Sequence, residues 1–217
     1  MGRQWWIEAL RGPVPLLEAA RASSFQTILW VTLGFVLGAV PFAVIIARLL
    51  TRRDPRQVGD HNPGAINAWR SSGAVVGLLA ILAEGLKGWV PVGLAYWVSG
   101  VSGWALVPLM MAPVLGHAYS PFLRGHGGKS IAVTFGVWAG LTLWRVPILY
   151  GALLVFLMGL LRLKDGWTAV LGWAVVTIYL VWSYPSVPVI AAAVLNGVIL
   201  VVRHRGQLRL PLRRTHA

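Results

Sequence analysis

Arg124, Gly125, His126, Gly127, Gly128, Lys129 and Ser130 stand between two apolar runs, and a cationic glycine-rich loop in that position is suited to hold an anion. Backbone N–H groups freed by Gly127 and Gly128 form a nest, and Lys129 beside them supplies charge. The apolar run after Ser130 reads as a helix, whose N-terminal dipole adds to the attraction. Gly-Gly-Lys alone is weak, and the spaced glycine and lysine context of a Walker sequence are incomplete. Upstream, Gly116-His117 ends another apolar run; alone, such a histidine is more often structural than catalytic.

A second constellation runs from Gly59 to Arg70 and carries Asp60, Asn62, Asn67 and Arg70 among small residues. Arg70 can fork onto two phosphate oxygens, while Asn62 and Asn67 can hold the loop or a substrate hydroxyl. The plain alternative is a polar connection between helices. A third is Glu84-Gly85-Leu86-Lys87-Gly88, inside an apolar stretch where each ionisable group costs about 2.5 to 3.5 kcal/mol or more at the bilayer centre. Glu84 and Lys87, three apart, can pair along one helix face, either to lock packing or to meet substrate. The fourth, Arg203-His204-Arg205-Gly206-Gln207, ends the last apolar run, followed by Arg209, Arg213 and Arg214, which read as a basic tail at anionic headgroups. No zinc spacing, nucleophile elbow or H-x-x-x-x-D pair occurs, so no metal and no cofactor is called for. Arginine, lysine, amides and glycine N–H groups suit phosphate binding and stabilisation of developing negative charge, on a substrate already activated.

The elements that must position these residues are membrane helices. With 57% hydrophobic residues, 12 Trp and 12% charged residues, the chain has too little polar surface for a soluble globule of 217 residues. It has no cysteine, which excludes disulfides and thiolate chemistry. The net charge of +13 falls in short segments between apolar runs, a pattern that speaks against nucleic acid and for anionic lipid and phosphorylated partners. Seven apolar segments are expected, over 28–50, 74–97, 104–123, 131–144, 146–161, 167–182 and 187–202. With the N-terminus outside, segments 51–73, 124–130, 162–166 and 203–217 face the cytoplasm, and they hold 13 of the 19 basic residues. The fourth and fifth segments are short, and half-buried helices there would leave five or six spans. The fold class is therefore an all-α integral membrane bundle of about seven helices, with the C-terminus cytoplasmic. Residues 1–27 read as an interfacial amphipathic extension broken at Pro13 and Pro15, not a cleaved signal, and 28–217 as one membrane domain without repeats. Pro41 inside the first span needs neighbouring helices to satisfy the backbone, and Gly34, Gly38 and Ala39 let one approach closely.

Taken together, these residues resemble the bacterial membrane acyl-phosphate:glycerol-3-phosphate acyltransferases, the PlsY family. Gly38-Ala39-Val40-Pro41-Phe42 with Ala47-Arg48 is similar to that family's G-S-I-P-F span ending in A-R or A-K. Asn62-Pro63-Gly64-Ala65 with Asn67 and Arg70 matches S-G-N-x-G-A-T-N-x-x-R, and Lys87-Gly88 matches D-x-x-K-G. Gly116-His117 through Lys129 follows G-H-x-F-x-x-F-L-x-F-K-G-G-K-G, and Arg203-His204-Arg205 follows R-H-x-x-N. The resemblance covers about Gly34 to Gln207. It implies a seven-helix enzyme of the plasma membrane, acting as a monomer with its site toward the cytoplasm. It would move an acyl chain from acyl phosphate to the 1-hydroxyl of glycerol 3-phosphate, releasing lysophosphatidic acid and phosphate. By the same resemblance, Arg70, Lys129 and His204 are the catalytic phosphate-binding residues. Asp60, Asn62, Asn67, Lys87, His117, His126, Gly127, Gly128, Ser130 and Gln207 line the substrate site. No acyl-enzyme is implied; orientation and charge stabilisation suffice, with substrate phosphate as a candidate proton acceptor.

Several positions depart from the family pattern. Asp60 replaces a serine, Ile66 a threonine, His126 a lysine, Ser130 a glycine and Gln207 an asparagine. A carboxylate at Asp60 repels phosphorylated substrates unless it is protonated or paired, with Arg70 as the expected partner. The alternative these departures raise is a paralogue that binds or moves phosphorylated lipids with a changed acceptor or no reaction.

Overall fold

Ser23 starts the first helix of this computed structural model, which describes residues 22–209. Its hydroxyl accepts from the Gln26 N–H at 3.2 Å, and the Gln26 side chain accepts from the Ser23 N–H at 2.9 Å, a reciprocal cap. Among the described residues there are nine α-helices. They are α1 (Ser24–Ala39), α2 (Phe42–Thr51), α3 (Ala65–Ser72), α4 (Ala74–Gly93), α5 (Leu106–Ala118), α6 (Ile131–Thr142), α7 (Arg145–Val155), α8 (Asp165–Ser183) and α9 (Val187–Leu208). The proposed interfacial helix with Pro13 and Pro15, and Arg213 and Arg214 of the tail, lie outside the described residues; Ser24–Thr27 form the first turn of α1.

All seven apolar segments are helical, but their lengths differ from the expectation. The 28–50 segment is two helices, α1 and α2, bent by 42° where Pro41 has no N–H to continue the ladder. Ala74–Val98, Gly103–Leu123, Asp165–Ser183 and Val187–Leu208 are each long and apolar enough to cross a membrane, and the bent pair makes up to five. Ile131–Thr142 and Arg145–Leu160, the fourth and fifth segments, are shorter. The protein is an all-helical membrane protein, and its outer surface fits that solvent: Leu49, Phe25, Trp182 and Val155 are each about three-quarters exposed or more.

Small residues set the packing. On α1, a Cβ at Gly38 would stand 2.6 Å from Pro113 Cα of α5, so the two backbones touch there as Gly34 and Gly38 led one to expect. The α4–α6 pair is closed the same way, Gly136 lying against the Gly85 carbonyl and Gly88 against Val133 and Val137. On the other side, Trp138, Trp173 and Tyr150 join α6, α7 and α8 with ring centroids 5.2 to 5.4 Å apart. Each polar tip in that core is satisfied, Trp138 by Asn196 of α9 at 3.1 Å, Trp173 by the Ala193 carbonyl at 2.9 Å and Tyr150 by the Ala169 carbonyl at 3.0 Å.

The break at Pro41 is held by the buried charges of α4. Glu84 Oε1 accepts from the Ala43 N–H at 3.0 Å, and Lys87 Nζ donates to the Val40 carbonyl at 3.0 Å. Glu84 and Lys87 pair at 2.5 Å, and His117 Nδ1 lies 3.0 Å from Glu84. Both partners are almost wholly buried and each also bonds the kinked backbone, as the packing alternative for this pair expects.

Candidate active site

The chain leaving α2 is turned by Asp54, which accepts from Arg48 at 2.7 Å and from Arg56 Nη2 at 2.8 Å and N–H at 3.0 Å. The Arg56 guanidinium holds this carboxyl far below the usual range, and Asp54 raises Arg56 in return. Gly59 and His61 then adopt left-handed backbone with φ near 60°. Gly59 is required by space as well, because a Cβ would stand 2.7 Å from Asn67 Oδ1. This hairpin delivers Asp60 to the start of α3.

Asn67, buried on α3, ties this hairpin to the helix. Its Nδ2 donates to Asp60 Oδ1 at 2.9 Å and to the Asn62 carbonyl at 3.0 Å, and its Oδ1 accepts from Arg70 at 3.3 Å. Asn67 therefore has the loop-holding role, one turn before Arg70. Asp60 is ion-paired, but with Lys129 of the glycine-rich loop rather than Arg70. Burial pushes the Asp60 carboxyl up; the Lys129 ammonium, helped by Asn67 and the Asn62 N–H, outweighs it and leaves it below its ordinary value.

The glycines of the loop serve close approach more than an open nest. No Cβ fits on Gly128 because the His117 ring fills that space, nor on Gly127 because of the His117 carbonyl. The Gly128 N–H donates to the His117 carbonyl at 3.0 Å, which takes it out of the expected nest. From α9, Arg203 donates to the Gly128 carbonyl at 3.0 Å and to the Gly127 carbonyl at 2.5 Å, with its guanidinium 5.6 Å from the Tyr119 ring centroid. Sequence reasoning passed over Arg203 as a site residue, although it adjoins His204 within the matched tail motif. Ser130 ends the loop in left-handed backbone at φ 65°, buried, as the N-cap of α6.

His204 completes the group. Its Nδ1 donates to the Leu200 carbonyl at 2.8 Å, while its Nε2 is buried without a partner among the described residues. Lys129, Asp165 and Asp60 are the charges that act on it. Gln207, one turn on, packs against Gly166 with its Oε1 also unpartnered. His126 stands apart, exposed and bonded to the Arg124 carbonyl at 3.0 Å. Lys87 lies a layer beneath, at a narrow cleft that Pro41, Pro63, His117, Leu123 and Gly128 also line. Among the described residues no three His, Asp or Glu side chains are placed to share a metal ion.

Thus Asp60, Asn62, Asn67, Arg70, Lys129 and His204 converge from α3, the loop before α6, and α9. A cluster with two cations, amides and an unpaired imidazole nitrogen can seat a phosphate and orient a polar group beside it.

Known proteins resemble this chain in sequence and in fold. The family model described as glycerol-3-phosphate acyltransferase matches residues 28–213. Glycerol-3-phosphate acyltransferase 1 of Thermotoga maritima is 33% identical over 192 residues, 82% of this chain and 94% of that protein. The glycerol-3-phosphate acyltransferase of Aromatoleum aromaticum is 36% identical over 183 residues, 81% of this chain and 88% of the other. In three dimensions, the crystal structure of PlsY, an integral membrane glycerol 3-phosphate acyltransferase in its glycerol 3-phosphate form, superposes with a TM-score of 0.77. It is 27% identical and covers 84% of this chain and 90% of its own. Its lysophosphatidic acid form gives the same TM-score at 26% identity.

Proposed function

Since the chain belongs to the glycerol-3-phosphate acyltransferase family, we propose that the acyl donor it uses is an acyl phosphate. The protein is a membrane acyltransferase that acylates glycerol 3-phosphate in phospholipid synthesis. In the proposed reaction the 1-hydroxyl oxygen attacks the acyl carbon, the carbon–oxygen bond to phosphate breaks, and phosphate leaves with the electron pair. Lysophosphatidic acid and inorganic phosphate result. The convergence of Lys129 and Arg70 on one amide-lined spot carries this reading, since both ends of the reaction are phosphates. His204 Nε2, buried without a partner among the described residues, is the third phosphate-binding group in this reading, able to donate when protonated and to accept when neutral. Asn62 and Asn67 hold the loop, and Gly127, Gly128 and Ser130 shape its approach over His117. A mixed anhydride needs no covalent enzyme intermediate, so placement and charge stabilisation do the work.

The site opens to the cytoplasm, in this reading, and the protein acts as a monomer in the plasma membrane with seven passes. Support for the passes comes from the apolar helices: four long spans, the bent α1–α2 pair, and the shorter Ile131–Thr142 and Arg145–Leu160, the first of which reaches the Trp97 end of the Ala74–Val98 span through its Gly140 carbonyl at 2.7 Å. Arg145, after it, stands beside Tyr184 at the end of α8.

The test uses purified protein in lipid, supplied with glycerol 3-phosphate and either palmitoyl phosphate or the palmitoyl thioester of coenzyme A. Lysophosphatidic acid should form with palmitoyl phosphate alone, and Arg70→Ala should abolish it. Turnover with the thioester and none with palmitoyl phosphate would overturn the donor assignment.

A further inference from the structure

We propose that Asp60 is the proton acceptor of this chain: released from Lys129 when the substrate phosphate binds there, its carboxylate takes the proton of the attacking hydroxyl. The inference rests on the acyltransferase reading and adds a residue role in which this chain differs from the family pattern, where a serine stands. A serine hydroxyl is no base at neutral pH, whereas a carboxylate can accept a proton once its stabilising cation leaves.

Three observations converge on it. Asp60 is aimed: Oδ1 is fixed by Asn67 Nδ2 at 2.9 Å and by the Asn62 N–H at 3.4 Å, and Asn67 is itself oriented by Arg70. The second oxygen, Oδ2, is the one against Lys129. Lys129 is also the group a substrate phosphate would claim, so the two anions compete for one ammonium. A phosphate dianion at Lys129 strips Oδ2 of its partner and places negative charge beside it, and both changes raise the affinity of the carboxylate for a proton. The empty site thus holds a poor base and the loaded site a competent one. A three-carbon substrate anchored at Lys129 keeps its hydroxyls close to Asp60, whose side chain is 37% exposed and open to such an approach.

The step balances. The hydroxyl oxygen bonds to the acyl carbon, the acyl carbon–oxygen bond to phosphate breaks with its electron pair on phosphate, and the hydroxyl proton passes to Asp60 Oδ2. The proton then goes to the departing phosphate as Lys129 returns to Asp60.

Asp60→Asn tests this, because it keeps an oxygen for Asn67 and the Asn62 N–H while removing the charge. With purified full-length protein in lipid, palmitoyl phosphate and glycerol 3-phosphate, kcat should fall by about 100-fold or more. KM for glycerol 3-phosphate should stay or fall, and inorganic phosphate should inhibit more strongly, because Lys129 is no longer engaged. Asp60→Glu should recover part of kcat. A kcat within threefold of wild type in Asp60→Asn, or in Asp60→Ser should the first variant not fold, would overturn the proposal and leave Asp60 as a resting partner of Lys129. A loss confined to KM, together with a lowered thermal midpoint, would also overturn it and mark a loop brace. The ratio is read with whichever acyl donor the wild type turns over, so failure of the acyl phosphate assignment is seen separately, in the wild-type protein.

Discussion

Ser130 and Asp60 show what one position can change. Ser130 occupies a left-handed turn at φ 65° where the family pattern has glycine, and its hydroxyl reaches only a distant Val114 carbonyl at 3.4 Å. A side chain in that conformation costs about 1 to 2 kcal/mol. Ser130→Gly should therefore stabilise the protein by roughly 1 kcal/mol, read as a higher thermal midpoint in detergent; a lower midpoint would show that the bond to the Val114 carbonyl outweighs the backbone strain. For Asp60 the sign follows from a carboxyl lowered from 3.8 in the folded state. The stability it gains from Lys129 is full above that ordinary value and is lost as pH falls through the lower, folded one. The effect is small, since solvent screens a carboxylate more than a third exposed. The gap in thermal midpoint between wild type and Lys129→Met should be constant from about pH 7 to 5 and close below about pH 4. Residue types singled out Lys129, Asn67 and Arg70, which the fold brings together with Asp60, but the partner of Asp60 was not legible, because nothing local brings residue 60 to residue 129; that contact is made by the packing of α3, α4 and α6.

At the scale of elements, the chain is held by glycines and by one buried knot of charge. Lipid tails are as apolar as leucine, so helices gain little from hydrophobic burial against each other and rely on close packing. Gly38→Ala should push α1 off the Pro113 backbone, 2.6 Å from the added carbon, and cost about 1 to 3 kcal/mol. Gly85→Ala is the control: the added carbon would meet only the Ala132 carbonyl at 3.8 Å, and removing a helical glycine should be neutral or stabilising. Comparable losses in both thermal midpoints would show that the interface is looser than its geometry. The knot has a different logic. Glu84 and Lys87 look costly from sequence because their partners, the Ala43 N–H and Val40 carbonyl, are backbone atoms made available only by the kink at Pro41. Pro41 and the two charges are thus one device, and His117 extends it from Glu84 up to the glycine loop.

For the whole molecule, hydropathy located each apolar helix but not its depth. Composition alone cannot tell a crossing helix from one that stops inside the bundle, and the two short helices, Ile131–Thr142 and Arg145–Leu160, are where that ambiguity falls. α6 begins at the cluster of Lys129 and Asp60, with Ala132 level with Gly85 in the middle of the Ala74–Val98 span, and its Gly140 carbonyl meets Trp97 at the far end of that span, so α6 runs beside only the second half of its partner. The natural absence of cysteine makes a direct test clean, because every introduced thiol is the sole one in the protein. Ser102 and Arg145 lie at the end away from the site, and His126 lies at the tip of the glycine loop, all three exposed. In intact cells a membrane-impermeant maleimide should label Ser102→Cys and Arg145→Cys, and should reach His126→Cys only after permeabilisation. Labelling of Ser102→Cys without Arg145→Cys would mean that the α6–α7 pair turns back inside the bilayer. Labelling of His126→Cys in intact cells would invert the topology and place the phosphate cluster away from a cytoplasmic supply of glycerol 3-phosphate.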